Sequence, residues 1–212
     1  VLMATGIVPE VTLARDIGIE LGHSGAIITD EYGQTNISDI YAAGDCTEVK
    51  SIVTGKNIYL PLALTANRNG RAVGTTIAGK KTQLNPIAGT AVVKVFQLEV
   101  ANTGLTNLNT ANEYGFDPVK VTIDSYSRAG YCPGARPITI SLIGDRNTRK
   151  VLGASMVGEE GVAKRIDIIA TALYSRLTVE ELENLDLAYA PPFSPVWDPI
   201  LIAARVLQGK LE

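Results

Sequence analysis

Histidine is almost missing from this chain: His23 is the single one in 212 residues. Cysteine is scarce too, with only Cys46 and Cys132. Two distant thiols and one imidazole make neither a disulfide scaffold nor a zinc set. No Cys-x-x-Cys redox pair occurs, and no Gly-x-Gly-x-x-Gly, so the fingerprint for a dinucleotide pyrophosphate is absent. No apolar run approaches the ~20 residues that span a bilayer. There is no signal-peptide or lipidation pattern, so a reducing cytoplasm is the expected compartment. Charge of one sign is also lacking: 19 basic against 22 acidic residues leave −3, with no basic footprint for nucleic acid or an anionic membrane. What is present is ordinary for a globular protein, 46% hydrophobic and 19% charged, enough for one large or two small domains.

The chain opens on the apolar run Val1-Leu2-Met3-Ala4-Thr5-Gly6, which reads as the last strand of something larger. Glu10 to Leu21 reads as a brief helix stopped by Gly18 and Gly22. Ala26-Ile27-Ile28-Thr29 reads as a strand closed by the turn Asp30-Glu31-Tyr32-Gly33. His23 titrates near neutrality and is a conceivable proton carrier. Its Gly/Ser-rich surroundings predict an exposed loop residue instead.

From Thr35 to Cys46 the pattern is a short buried strand, Ile40-Tyr41-Ala42-Ala43, that stops at Gly44 and presents Asp45. Ligands in open α/β sheets lie beyond the carboxyl ends of strands. Gly44 has no Cβ, so a ligand or a bent backbone can come close. An ionised Asp45 only accepts hydrogen bonds and suits a partner rich in hydroxyls. A helix starting there would also favour phosphate. A solvated turn carboxylate is the alternative reading, and the residues leave both open. After a loop or hairpin at Thr54-Gly55-Lys56-Asn57, Pro61 to Ala78 reads as one long helix with Leu62, Ala66, Val73 and Ile77 toward a core. Its Ala63, Ala66, Gly70 and Gly74 make a small-sided face, suited to close approach of a cofactor or to tight helix packing.

A polar stretch with Pro86 places a domain boundary near residue 85, giving residues 1–84 and 85–212. Beyond it, 91–96, 119–123, 138–143 and 151–157 read as strands, the last two joined by a hairpin loop. Short and long helices are expected at 106–114 and 159–177. Thr178-Val179-Glu180-Glu181 is a capping box that starts another, and Asp198-Pro199 caps a last helix ended by Gly209. Strands followed by helices make an α+β layer.

Two loops carry unusual chemistry. Ala188-Tyr189-Ala190-Pro191-Pro192-Phe193-Ser194-Pro195-Val196-Trp197-Asp198-Pro199 is apolar, aromatic and stiffened by four prolines. The Tyr189 phenol can donate to a thiolate or oxyanion. A loop packing on a partner subunit is the competing reading, because Tyr and Trp favour interfaces. Ser127-Arg128-Ala129-Gly130-Tyr131-Cys132-Pro133-Gly134-Ala135 carries a second tyrosine, and Cys132 there is expected to be inert.

Thr35 followed by Ile40-Tyr41-Ala42-Ala43-Gly44-Asp45 resembles the second flavin motif of the pyridine nucleotide-disulfide oxidoreductases, and Ala4-Thr5-Gly6 with Pro9 resembles another motif of that family in the right order. The resemblance extends over essentially the whole chain. It implies an α/β remainder of an FAD-binding Rossmann-like domain followed by an α+β dimerisation domain. Asp45, beside Gly44, would hold the flavin ribityl chain, and Pro61, Leu62 and Ala63 would lie near the isoalloxazine. The Tyr-Ala-Pro-Pro segment at Tyr189 and the loop at Tyr131 are similar to those of the coenzyme A-disulfide reductase branch, which also holds NADH oxidases and sulfur reductases. There both segments reach toward the partner subunit's redox cysteine. Cys132 replaces the second tyrosine of the family's pair, and Arg128 stands where histidine is common. Glutathione and lipoamide reductases use a histidine in this domain as proton carrier; none follows His23, which argues for the tyrosine-using branch.

The implied protein is a homodimeric FAD-dependent oxidoreductase that takes hydride from NAD(P)H and passes electrons through a redox cysteine outside these residues. Its acceptor would be a small-molecule disulfide, a polysulfide or oxygen. The sequence upstream of Val1 is expected to carry the missing glycine-rich motif and that cysteine. The chain alone is expected to be an inactive dimerisation module.

Overall fold

The computed structural model describes residues 3–212. They form two compact units, one running to Ser51 and resuming over Gly55–Ile87, the other taking Ile52–Thr54 and Ala88–Glu212. The strand expected over the opening run falls partly on Val1 and Leu2, outside the described residues. Met3 to Val11 are neither helix nor strand. No helix among the described residues is long and apolar enough to cross a membrane.

The first unit has little regular structure. Helix α1 (Thr12–Asp16) is one turn long, shorter than the helix expected to Leu21, and Leu13 and Ile17 stay exposed. Ile27 makes only single bridges, to Leu21 and Thr47, and Tyr41 makes one to Gln34. The strands expected at 26–29 and 40–43 are therefore isolated bridges. A strand needs a neighbour along its whole length to satisfy alternate N–H and C=O groups, and none runs beside them here. Their apolar side chains still pack, as Val11, Ala14, Ile19 and Ile27 form a small core flanked by Ile37, Ile40 and Ala42. The hairpin β1 (Val49–Lys50) with β2 (Asn57–Ile58) closes around Thr54-Gly55.

Helix α2 (Ala63–Ile77) follows Leu62 as its N-cap and ends before Gly79, whose φ of +93° takes the chain out of the helix. Its buried stripe is Thr65, Asn69 and Val73, spaced by four residues. Ile77, expected in the core, is 62% exposed. Apolar periodicity placed the helix and the buried Val73 correctly but not Ile77, and the rest of the buried stripe, Thr65 and Asn69, is polar.

The second unit is an antiparallel sheet with its two long helices on one face. Its strands are β3 (Ala91–Val95), β4 (Leu98–Gly104), β5 (Pro118–Tyr126), β6 (Pro137–Asp145) and β7 (Val151–Gly158), in the order β3-β4-β7-β6-β5. Sequence reading missed β4, because its hairpin with β3 turns at Phe96-Gln97 without Gly, Asn or Pro. Phe96 takes the left-handed conformation (φ +53°) that those residues usually supply. Helix α3 (Leu108–Glu113) is capped by the Asn107 side chain, which accepts from Asn109 N at 2.8 Å. Helix α4 (Val162–Ser175) lies over β4 and β7, and α6 (Pro199–Leu211) over β5 and β6. Between them α5 (Val179–Glu183) starts at Thr178 with the expected capping box in place. Gly209 does not end α6, which runs on to Leu211.

The core between sheet and helices is built from Ile138, Ile140, Leu142, Ala154 and Met156 of the strands. Val162, Ile166, Ile169, Ile200 and Leu207 meet them from the helices. Strand residues alternate accordingly: Ala101 and Thr103 of β4 are buried, while Val100 and Asn102 face outward. Gly153 of β7 sits where a Cβ would come within 2.3 Å of Leu105 O and 2.6 Å of Thr103 O. Gly209 in α6 has open space around its missing Cβ.

These two glycines give opposite expectations in thermal or urea unfolding. Gly153→Ala loses about 1–3 kcal/mol or more, because backbone must move aside. Gly209→Ala gains up to about 1 kcal/mol from helix propensity. A neutral Gly153→Ala would contradict the packing of β7 against Leu105.

Candidate functional site

In the first unit the sequence-predicted residues gather at the start of α2. Gly44 has a φ of +97° and opens a tight turn in which Thr47 N and Thr47 Oγ1 both donate to Gly44 O, at 3.1 and 2.9 Å. No helix begins after Asp45, so the condition under which this strand end would favour phosphate is not met: the Thr47 side chain closes the turn instead. A Cβ on Gly44 would lie 3.9 Å from Ala66 Cβ, which places the turn against the first turns of α2. Small side chains at both positions permit that approach. Upstream, Thr35 N and Thr35 Oγ1 donate to Ile40 O at 2.9 and 3.0 Å and tie off the loop that leads into the turn.

Asp45 is exposed, and among the described residues no hydrogen bond or ion pair holds its carboxylate. It is a free acceptor. Pro61 and Leu62 are half-buried and Ala63 is exposed. The α2 N-terminus has neither a side-chain cap nor an acid in its first turn, so its N–H groups keep their partial positive charge. A free carboxylate beside a left-handed glycine, next to an uncapped helix start, fits a hydroxylated chain attached to an electron-accepting ring that gains negative charge. The residues present therefore fit FAD on this side. A cavity of about 290 Å³ also runs along α2, lined by Arg68, Asn69, Arg71, Thr75, Thr82 and Asn85 among others; neither Gly44 nor Asp45 lines it. His23 is exposed, as expected.

The second unit brings Tyr131 and Tyr189 close enough for the two phenols to interact. Both remain accessible, Tyr131 79% and Tyr189 46% exposed. The interaction with the Tyr131 side chain, then partial burial and the Tyr131 charge, push the Tyr189 phenol above the usual tyrosine value. At neutral pH the Tyr189 phenol keeps its proton, as any tyrosine of ordinary value does, and can donate a hydrogen bond. Cys132, in the same loop, is half-buried and unpaired in a disulfide. Its N–H donates to Ala129 O at 2.8 Å and its carbonyl accepts from Ala135 N, so the residue shapes the loop through its backbone.

The loops stay together through contacts the sequence did not announce. Ala129 N donates to Pro191 O at 3.2 Å, a direct backbone link between them. Arg165 of α4, whose side chain is fully buried, pairs with Asp198 at 2.9 Å. Arg128 pairs with Glu160, and Ser127 Oγ donates to the same carboxylate at 3.2 Å. Asp198 was legible only as a helix cap, a role it keeps by accepting from Ile200 N at 3.0 Å. A signal for Arg165 did exist: it is the one cation on the apolar side that includes Val162, Ile166 and Ile169. No group of three or more His, Cys, Asp or Glu among the described residues could hold a metal.

Comparison with known proteins covers both units. The model for "Pyridine nucleotide-disulphide oxidoreductase, dimerisation domain" matches residues 90–199, and that for "Pyridine nucleotide-disulphide oxidoreductase" matches residues 1–70. An NAD(P)H sulfur oxidoreductase (CoA-dependent) of Pyrococcus furiosus is 41% identical over 208 residues, covering 98% of this chain and 47% of that protein. An NADH oxidase of Methanocaldococcus jannaschii is 39% identical over 212 residues, covering 100% of the chain and 47% of the relative. The solved NAD-dependent persulfide reductase of A. fulgidus superposes with a TM-score of 0.92 at 42% identity, over 98% of this chain and 38% of that one. The chain spans about half the length of the curated relatives it matches.

The tyrosine pair is open to titration by ultraviolet difference spectroscopy, with Tyr189→Phe to single out one phenol among eight. Tyr189 is expected to ionise above the ordinary value of about 10. Because its folded value is raised, whatever stability the interaction adds is complete below the unfolded value and is lost as pH climbs through the folded one. Tyr131→Phe should bring Tyr189 down. No movement in that variant would disprove the pairing.

Proposed function

The chain belongs to the pyridine nucleotide-disulfide oxidoreductase family, and from that premise we propose that it works as part of a homodimeric, FAD-dependent NAD(P)H oxidoreductase. The acceptor proposed is coenzyme A disulfide or a related disulfide or polysulfide, reached through a redox cysteine outside these residues. The family binds FAD and NAD(P)H. One observation carries the reading for this chain: the unpaired Asp45 carboxylate at the left-handed Gly44, set against the small side chains that start α2. The CoA-dependent and persulfide-reducing relatives support the choice of acceptor.

Bound FAD would accept hydride and hand electrons on; the protein's part is placement. Asp45 would accept hydrogen bonds from the ribityl hydroxyls through its carboxylate oxygens. Gly44 would let the chain lie close, and the N–H groups at Leu62 and Ala63 would favour electron density on the ring above them. Tyr189, protonated at neutral pH, would donate a hydrogen bond from its Oη to a thiolate and stabilise it. Residues 85–212 are assigned as the dimerisation domain and 1–84 as the carboxyl-terminal part of the FAD/NAD(P)-binding domain. Exposed Phe193, Val196 and Trp197 on the proline-rich loop, 72%, 64% and 52% accessible, support a second copy docking there.

An oxygen-reducing role is the second reading, favoured by the NADH oxidase relative. Parallel assays of NAD(P)H consumption with coenzyme A disulfide and with oxygen separate the two. In the enzyme that contains this chain, Asp45→Ala should weaken FAD binding about tenfold to a hundredfold, from the loss of about 1.5–3 kcal/mol of charged hydrogen bonding. Unchanged FAD affinity would remove Asp45 from the site. The isolated 212-residue chain, mixed with FAD and desalted, should stay colourless if it is only a dimerisation module.

A further inference from the structure

Arg165 makes more directed bonds than an ion pair requires. Nε lies 3.0 Å from both Asp198 oxygens, and Nη2 reaches Asp198 Oδ2 at 2.9 Å. Nη2 also donates to Ser127 O at 3.0 Å and lies 3.4 Å from Ser194 Oγ, while Nη1 donates to Gly161 O at 3.1 Å. Ser194 Oγ in turn donates to Asp198 Oδ2 at 2.9 Å. Ser127 opens the loop that carries Tyr131, and Ser194 closes the turn that follows Tyr189. One buried guanidinium therefore touches the base of both tyrosine loops, from a helix anchored in the core.

We infer that Arg165 is the positioning residue for Tyr131 and Tyr189, fixing the bases of the two loops that carry them through Ser127 and Ser194. The fork geometry is what the task needs, since a planar guanidinium fixes the directions of its bonds and an ammonium does not. Gly161 agrees with this: a Cβ there would come within 2.4 Å of Arg165 Nη1, so the glycine keeps room for the fork. Apart from the Ala129 N to Pro191 O bond, which links the two loops directly, the other polar ties between these elements are peripheral. Arg128 with Glu160 is partly exposed, and Lys164 Nζ reaches Phe193 O only at 3.5 Å. The positioning itself follows from these contacts; its catalytic meaning rests on the reading proposed above.

Arg165→Lys keeps a cation beside Asp198 and removes the fork. In the folded variant, checked by circular dichroism and a cooperative melt, the Tyr189 titration should fall toward that of an ordinary tyrosine. A purely structural role would lower the melting temperature and leave that titration in place, which would overturn the inference. If Arg165→Lys does not fold, Ser194→Ala decides, with a smaller shift in the same direction expected and no shift overturning it. In the intact enzyme turnover should drop on the order of tenfold to a hundredfold, with KM for NAD(P)H little changed. A titration that moves while turnover does not would uphold the positioning and sink the redox role of the tyrosines.

Discussion

The second unit depends on a charge taken out of water. Arg165 is fully buried, and its partner Asp198 nearly so. Desolving such a pair costs several kcal/mol per ion, repaid only when geometry is good and the remaining donors are satisfied. Here they are satisfied: Nε, Nη1 and Nη2 all find acceptors, and Asp198 also receives Ser194 Oγ and Ile200 N. An apolar replacement of equal volume can match or exceed such a pair in stability, by about 1–4 kcal/mol. It cannot supply directed bonds to the α4 start, the 127 loop, the 194 turn and the α6 cap at once. Specifying where loops sit is the contribution that distinguishes this pair from more hydrocarbon.

That pair works because the rest of the unit is stiff. The sheet and helices enclose a core in which Ile140, Leu142, Ala154, Ile169 and Leu207 are wholly buried, so α4 and α6 have no freedom to slide. Glu99 on β4 accepts from Val162 N at 2.9 Å and fixes the start of α4 from the sheet side. Arg165 lies one turn further along the same helix. Packing of α4 fixes the backbone of Arg165, and its guanidinium bonds to both loops from there.

Legibility in the sequence followed how local each cause is. Period-two runs at 119–123, 138–143 and 151–157 and the box at Thr178–Glu181 carry their own structural signals, and they form the expected elements. β4 was invisible because a Phe in the left-handed region supplies its turn, which only the tertiary fold can impose. In the first unit, apolar runs at 26–29 and 40–43 were read from composition as strands. Composition cannot show whether a neighbour runs alongside. Tyr131 and Tyr189, far apart in sequence, were each noticed for their loop chemistry, but what brings their loops together is tertiary: the Ala129 N to Pro191 O bond and the contacts of Arg165 with Ser127 and Ser194. A lone arginine on an apolar stripe hints at that residue without saying what it binds.

The two candidate sites are built differently, and the difference follows from the chemistry each group would perform. A carboxylate needs no tuning to accept hydrogen bonds: at neutral pH it is ionised, two-pronged and tolerant of angle, so Asp45 can sit exposed and unsupported on a turn. A phenol donates in one direction only, and it serves as a donor only while its proton stays on. Tyr189 meets the second condition at neutral pH as any phenol does, and the first is served by loops fixed at their bases. A flexible loop would let each phenol turn to water. The rigid scaffold beneath the prolines therefore limits the directions in which these exposed phenols can donate.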